Sequence, residues 1–180
     1  MAGYIIHIAT GKAMLNLAKK KNKPLIEEKD YKEFLNGIIM PDYKNKSLKK
    51  LKLSEETNPW NITHSFDMNK DFKELTPYDL GYFVHLLTDN YFYKIYDNCG
   101  PLYEDYNYLN NALIKKYNLE LPDLIKDDIK FKDGAPKILE IDEICKFIDE
   151  MANLNLKKEY KKFKKTEMNC KYISNMKETK

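Results

Sequence analysis

The chain has no arginine and no glutamine, and it is poor in glycine (six), cysteine (three), histidine (three) and tryptophan (one) among 180 residues. Without arginine it lacks the planar guanidinium fork that grips phosphate bidentately, so phosphate recognition must rest on lysine, backbone amides or a metal ion. All basic charge is lysine. Together with the abundance of Asn, Ile and Tyr, this reflects AT-rich coding bias and not function. Cys99, Cys145 and Cys170 are odd in number and form no CxxC pair, which reads as free thiols of a reducing compartment. No Walker motif, GxGxxG or GxSxG is present, so the nucleotide-fold and serine-hydrolase classes have no support. No apolar run is long enough to span a bilayer. The apolar N-terminal stretch has no basic region before it and no small-residue cleavage site after it. It reads as mature sequence, and the cytoplasm is the expected location.

What is present suits one packed domain. Apolar residues make up 43% and charged residues 33%, with a net charge of only +3. Scarce glycine and long Lys/Leu-rich segments predict an all-α, multi-helix domain over residues 1–153, followed by a lysine-rich tail or helix over 154–180. Apolar spacing predicts a first helix over about Tyr4 to Lys20. A second is expected over Asp30 to Ile39, ended by Pro41, which leaves Asp42 on the exit loop. Thr76-Pro77, with Asp79 in the first turn, opens the clearest helix, whose apolar set is Leu80, Phe83, Val84, Leu87, Tyr91 and Ile95. Further helices are expected over about Asp105 to Tyr117 and Lys137 to Ala152, with a turn at Asp133-Gly134.

The chemistry concentrates in the histidines. His85 and Asp89 stand four apart, hence one turn apart on one face of a helix. Alone, that pair reads more readily as a core histidine with a salt-bridge partner. Asp42, in Met-Pro-Asp, and His64, in Asn-Ile-Thr-His, extend it to an ordered D…H…HxxxD series, and His7 near the start of the first helix is a fifth candidate. Imidazole plus carboxylate suits a divalent metal, zinc first and iron or manganese next. Such an ion activates water and polarises a phosphoryl oxygen, so hydrolysis of a phosphoric ester is the expected reaction. Asp67 and Asp105 are the candidates for a general base not bound to metal, although Asp105 reads equally well as a helix N-cap. An HD-type phosphohydrolase needs an adjacent His-Asp pair, which the chain lacks.

The run Gly37-Ile38-Ile39-Met40-Pro41-Asp42, then Thr63-His64, then Gly81-Tyr82-Phe83-Val84-His85-Leu86-Leu87-Thr88-Asp89 resembles the zinc-dependent phospholipase C family. That all-helical superfamily includes zinc-dependent single-strand nucleases, and the resemblance covers roughly residues 4–115. It implies that Asp42, His64, His85 and Asp89 hold one metal and that His7 and Asp89 contribute to a second. The family's third metal needs histidines downstream of the HxxxD helix, and this chain has none after His85. The family also uses a mature N-terminal tryptophan, where this chain reads Met-Ala-Gly. A reduced site of one or two metals is therefore expected, with a small-molecule or lipid phosphoester as substrate.

The alternative is a non-catalytic helical binding protein with a structural metal or none. Tyr78, Tyr82, Phe83, Tyr91, Phe92, Tyr93 and Tyr96 crowd the metal helix as pocket wall or as core, and core is the better reading for Phe83 and Tyr91. The segment from Asn153 onward carries nine lysines against three glutamates. It could touch nucleic acid, but without arginine a solvated helix face is the preferred reading.

Overall fold

The computed structural model describes residues 2–50, 70–96 and 102–165, and among them every regular element is helical. They are α1 (Tyr4–Lys20), α2 (Tyr31–Lys50), α3 (Pro77–Tyr96), α4 (Tyr103–Tyr117), α5 (Ile141–Ala152) and α6 (residues 156–165). Short 3-10 turns cover Glu28–Asp30, Phe72–Glu74 and Asp123–Asp128. The all-α class expected from the sequence is what the chain adopts. None of the described helices is long and apolar enough to cross a membrane.

α3 carries the site and is buried through its middle. Its start is locked by a reciprocal cap: the Asp79 N–H donates to Thr76 Oγ1 and the Thr76 N–H donates to Asp79 Oδ2, both at 3.1 Å. Every residue from Leu80 to Asp89 is buried, as expected of a helix surrounded by others rather than one with a single core-facing stripe. The apolar set fails only at its end, where Ile95 is 55% exposed.

Among the described residues, α2 and α3 share the most extensive helix contact. Glycine makes it possible. A Cβ on Gly37 would lie 2.1 Å from the Tyr78 carbonyl oxygen, and one on Gly81 would lie 2.1 Å from that of Phe34. Each glycine thus admits the other helix's backbone, which no larger residue could do. α2 also corrects an expectation. It runs straight through Pro41, so Asp42 sits on a helix and not on an exit loop. Proline removes one N–H and crowds the preceding turn, at a cost of about 3 kcal/mol. Burial of Phe34, Leu35, Ile38 and Ile39 against the neighbouring helices outweighs that local preference.

α1 packs against α2, α3, α4 and α5. α5 begins at Ile141, later than the expected Lys137, because Asp105 holds the N–H groups of residues 137–139 in a non-helical bend. α6 joins the same core: Leu156 and Tyr160 are buried, and the Tyr160 hydroxyl donates to the Lys70 carbonyl at 3.0 Å. The beginning of the lysine-rich segment is therefore a helix with one packed face, and its Lys157, Lys158, Lys161 and Lys162 are exposed. Cys145 is a buried free thiol, while Cys99 and Cys170 lie outside the described residues.

Candidate metal centre

The α2–α3 crossing sets the site. His85 follows Gly81 by one turn of α3, and Asp42 follows Ile38 by one turn of α2. The close backbone approach lets His85 Nδ1 meet the Ile38 carbonyl oxygen at 2.8 Å. A carbonyl only accepts, so Nδ1 carries the proton and the neutral ring presents a bare lone pair at Nε2. That lone pair faces oxygens: Asp89 Oδ2 at 3.4 Å and Asp42 Oδ1 at 3.9 Å.

His7, from α1, completes the set. Its Nε2 lies 3.3 Å from Asp89 Oδ1 and 3.9 Å from Asp42 Oδ2. Neither ring nitrogen of His7 has a hydrogen-bond partner, and Asp42 Oδ1 has none either. The two imidazoles stack with centroids 3.9 Å apart and planes 12° from parallel. His7, His85 and Asp89 are fully buried, whereas the Asp42 side chain is 11% exposed and forms the outer member. The Ala2 N–H donates to Asp89 Oδ1 at 3.0 Å.

Nitrogen lone pairs facing carboxylate oxygens in a buried place repel unless something positive lies between them. Protons supply part of it. Burial lowers the His85 pKa, but the facing carboxylates of Asp89 and Asp42 outweigh burial, and the net direction is upward. Burial and the neighbouring His85 charge push His7 downward. Burial opposes ionisation of Asp89, yet the charges of His7 and His85, 3.3 and 3.4 Å away, outweigh it and hold its carboxyl well below the ordinary range. Two carboxylates facing two buried imidazoles make a place that favours a cation.

The donor set fits a divalent metal. Two imidazole nitrogens and two carboxylates are the ligands of zinc, iron and manganese. Bonds of 2.0–2.1 Å place neighbouring donors on a tetrahedral ion about 3.3 Å apart. The two His–Asp89 spacings, 3.3 and 3.4 Å, match that edge, and the Asp42 spacings of 3.9 Å are slightly open. The Nδ1–carbonyl bond of His85 is the kind of orienting contact that metal-bound histidines make.

Four of the seven residues picked out in the sequence thus converge: His7, Asp42, His85 and Asp89. His64 and Asp67 lie outside the described residues, as does Trp60. Asp105 takes a different part from the general base or N-cap expected of it. Its Oδ1 accepts the Lys137 N–H at 3.0 Å, and its Oδ2 accepts those of Ile138 and Leu139 at 2.6 and 2.9 Å. It pins the segment leading into α5, and Leu102 occupies the N-cap of α4.

Three contributors escaped the sequence reading. The Ile38 carbonyl fixes the His85 tautomer. Tyr4 and Tyr106 stand by the cluster; burial, then the charge of Asp42 on Tyr4 and of Asp89 on Tyr106, drives both phenols upward. The tyrosines carry no sequence signal. The crossing does: a glycine one turn or so before a ligand in each of two helices, Gly37 before Asp42 and Gly81 before His85.

Fold and site together define an all-α protein with a buried two-histidine, two-aspartate centre. No protein-family model matches the chain, and neither a curated protein nor a solved structure does.

Proposed function

We propose that this chain is a metal-dependent hydrolase of phosphoric esters, in which His7, Asp42, His85 and Asp89 hold the metal, zinc before iron or manganese. The observation that carries the reading is the inward-facing Nε2 of His85, its other nitrogen committed to the Ile38 carbonyl, opposite two carboxylates. A bound divalent ion would supply a water acidified toward neutrality and a Lewis acid for the phosphoryl oxygen. The chain's own residues orient that chemistry. Ile38 fixes the His85 ring, the Ala2 N–H holds Asp89, and Asp42 stands on the solvent side where a substrate would arrive. The resemblance to the zinc-dependent phospholipase C family supports the same reaction class and adds His64 as a further ligand, and Asp67 is the candidate base on chemical grounds.

The test is hydrolysis of a generic phosphodiester, bis(p-nitrophenyl) phosphate, by metal-stripped protein and after return of zinc or manganese. Hydrolysis should follow the metal and vanish in His85→Ala and Asp42→Ala. Undiminished turnover by metal-free protein would contradict the proposal.

Burial of three of the four donors favours a second reading, a closed structural metal in a binding protein. It gives the same metal content, no turnover with any phosphoester, and a large fall in melting temperature on chelation.

A further inference from the structure

A groove of about 650 Å³ lies between α1, the loop that follows it and the start of α2. Its volume is in the range of small-molecule sites. It is separate from the His/Asp centre: Tyr31, in its wall, precedes Asp42 on α2 by about 16 Å of helix at 1.5 Å per residue. The turn that closes α1 builds it. Asn22 adopts φ 53°, and the N–H groups of Asn22 and Lys23 donate to the Lys19 and Ala18 carbonyls, both at 3.0 Å. The chain reverses there, and Leu25 and Ile26 join Leu15 of α1 as the half-buried apolar lining.

The polar part of the groove gathers around Tyr31. The Lys12 ammonium stands over its ring, 4.5 Å from the centroid. Glu120 lines the same groove. Burial, and then the Glu120 charge, push the Tyr31 phenol up to about 12, so the hydroxyl keeps its proton. That hydroxyl is buried and has no hydrogen-bond partner. Among the described residues, neither Lys12 nor Glu120 forms an ion pair, although Lys12 is half-buried. A cation and an anion thus flank one tyrosine without meeting each other. A simple apolar acid would satisfy Lys12 but bring its carboxylate toward Glu120. An apolar amine would do the reverse. A ligand with both charges on one carbon answers both groups and leaves its side chain for the apolar lining.

We propose that this groove binds a free α-amino acid with a large apolar side chain, its carboxylate on Lys12, its ammonium on Glu120 and its side chain against Leu15, Leu25 and Ile26. The site goes beyond the proposed hydrolase and does not depend on it.

The experiment titrates the full chain with L-leucine by calorimetry, beside three probes that each lack one feature. L-leucinamide lacks the carboxylate, N-acetyl-L-leucine lacks the ammonium, and glycine lacks the apolar side chain. Wild type should bind L-leucine saturably and each of the other three at least about tenfold more weakly. In Lys12→Met, the affinity for L-leucine should fall to that for L-leucinamide. In Glu120→Gln, it should fall to that for N-acetyl-L-leucine. Both variants should keep the metal content of wild type. If circular dichroism shows a variant to be unfolded, the four ligands on wild type decide alone. No saturable binding of L-leucine up to about 10 mM overturns the site. A blocked probe that binds as tightly as L-leucine overturns the paired-charge recognition, and glycine binding equally overturns the apolar lining. Unchanged L-leucine affinity in both folded variants also overturns the proposal, because the amino acid then binds elsewhere.

Discussion

Asp89 and Asp105 are equally buried, at 4% and 2% exposure, and both carboxyls are held below the ordinary carboxylate range. Their surroundings are opposite. Burial works against ionisation of Asp105, but N–H donors from three consecutive residues, 137–139, outweigh it. Every charge-bearing atom there has its complement within the protein. Asp89 has one N–H donor, from Ala2, and otherwise faces two imidazole nitrogens, of which His85 has already committed its proton elsewhere. A buried carboxylate with a complete set of donors is a structural tie. One that faces other acceptors marks a place made for something the chain does not itself supply. Burial and a depressed pKa do not separate the two cases; the accounting of donors and acceptors does.

Four expectations break or sharpen that contrast, all read as urea denaturation of the metal-free protein. The largest effect belongs to the crossing that builds the centre. Gly81→Ala places a Cβ 2.1 Å from the Phe34 carbonyl oxygen, so the helices must part, at a cost of about 3–5 kcal/mol. A change below 1 kcal/mol, on the order of ordinary surface substitutions, would mean that the helices do not cross this closely.

Next is Asp105→Ala, which strands three N–H groups and should cost about 3 kcal/mol. The folded carboxyl is depressed, so its contribution is complete above the ordinary value near pH 4 and is lost as pH falls through the lower folded value. The deficit of the variant should therefore shrink below about pH 4 and hold steady from pH 5 to 8. An acid-insensitive deficit would assign the loss to packing instead of the charged tie.

Thr76→Ala removes the cap of α3 and should cost about 1 kcal/mol. The smallest effect is expected at the centre itself. Asp42→Asn keeps the volume of a partly exposed carboxylate that stands 3.9 Å from His85 Nε2 and removes its charge. Without metal, stability should change by less than about 0.5 kcal/mol or rise. A loss comparable to Asp105→Ala would make the two carboxylates alike and remove the contrast.

Much of this was legible in the sequence. α1 was readable from apolar spacing, and the Thr76-Pro77 start of α3 from cap chemistry, because both are local signals that tertiary packing did not oppose. His7, Asp42, His85 and Asp89 were readable because so few histidines are present and the carboxylates lie at ordered positions. Elsewhere a non-local contact overrode local preference. Pro41 should end α2 by its own chemistry, but a long buried face against α3 carries the helix on. Lys137 to Leu139 has helical residues, but Asp105, more than thirty positions earlier, holds their N–H groups. For the same reason Asp105 resembled a catalytic candidate: its partners are backbone atoms, which sequence cannot show. The lysine-rich segment opens as a helix that shows the expected solvated face at Lys157, Lys158, Lys161 and Lys162, while Leu156 and Tyr160 on the same helix are buried.

The central claim is that the buried His/Asp cluster is completed by metal. Elemental analysis of untagged protein purified without added metal, wild type beside His85→Ala, tests it most directly. Bound zinc, iron or manganese in wild type, lost in a variant that remains folded by circular dichroism, is the expected result. Metal-free wild type that also fails to take up zinc or manganese on titration would contradict the account and leave the cluster a proton-bridged element of the core.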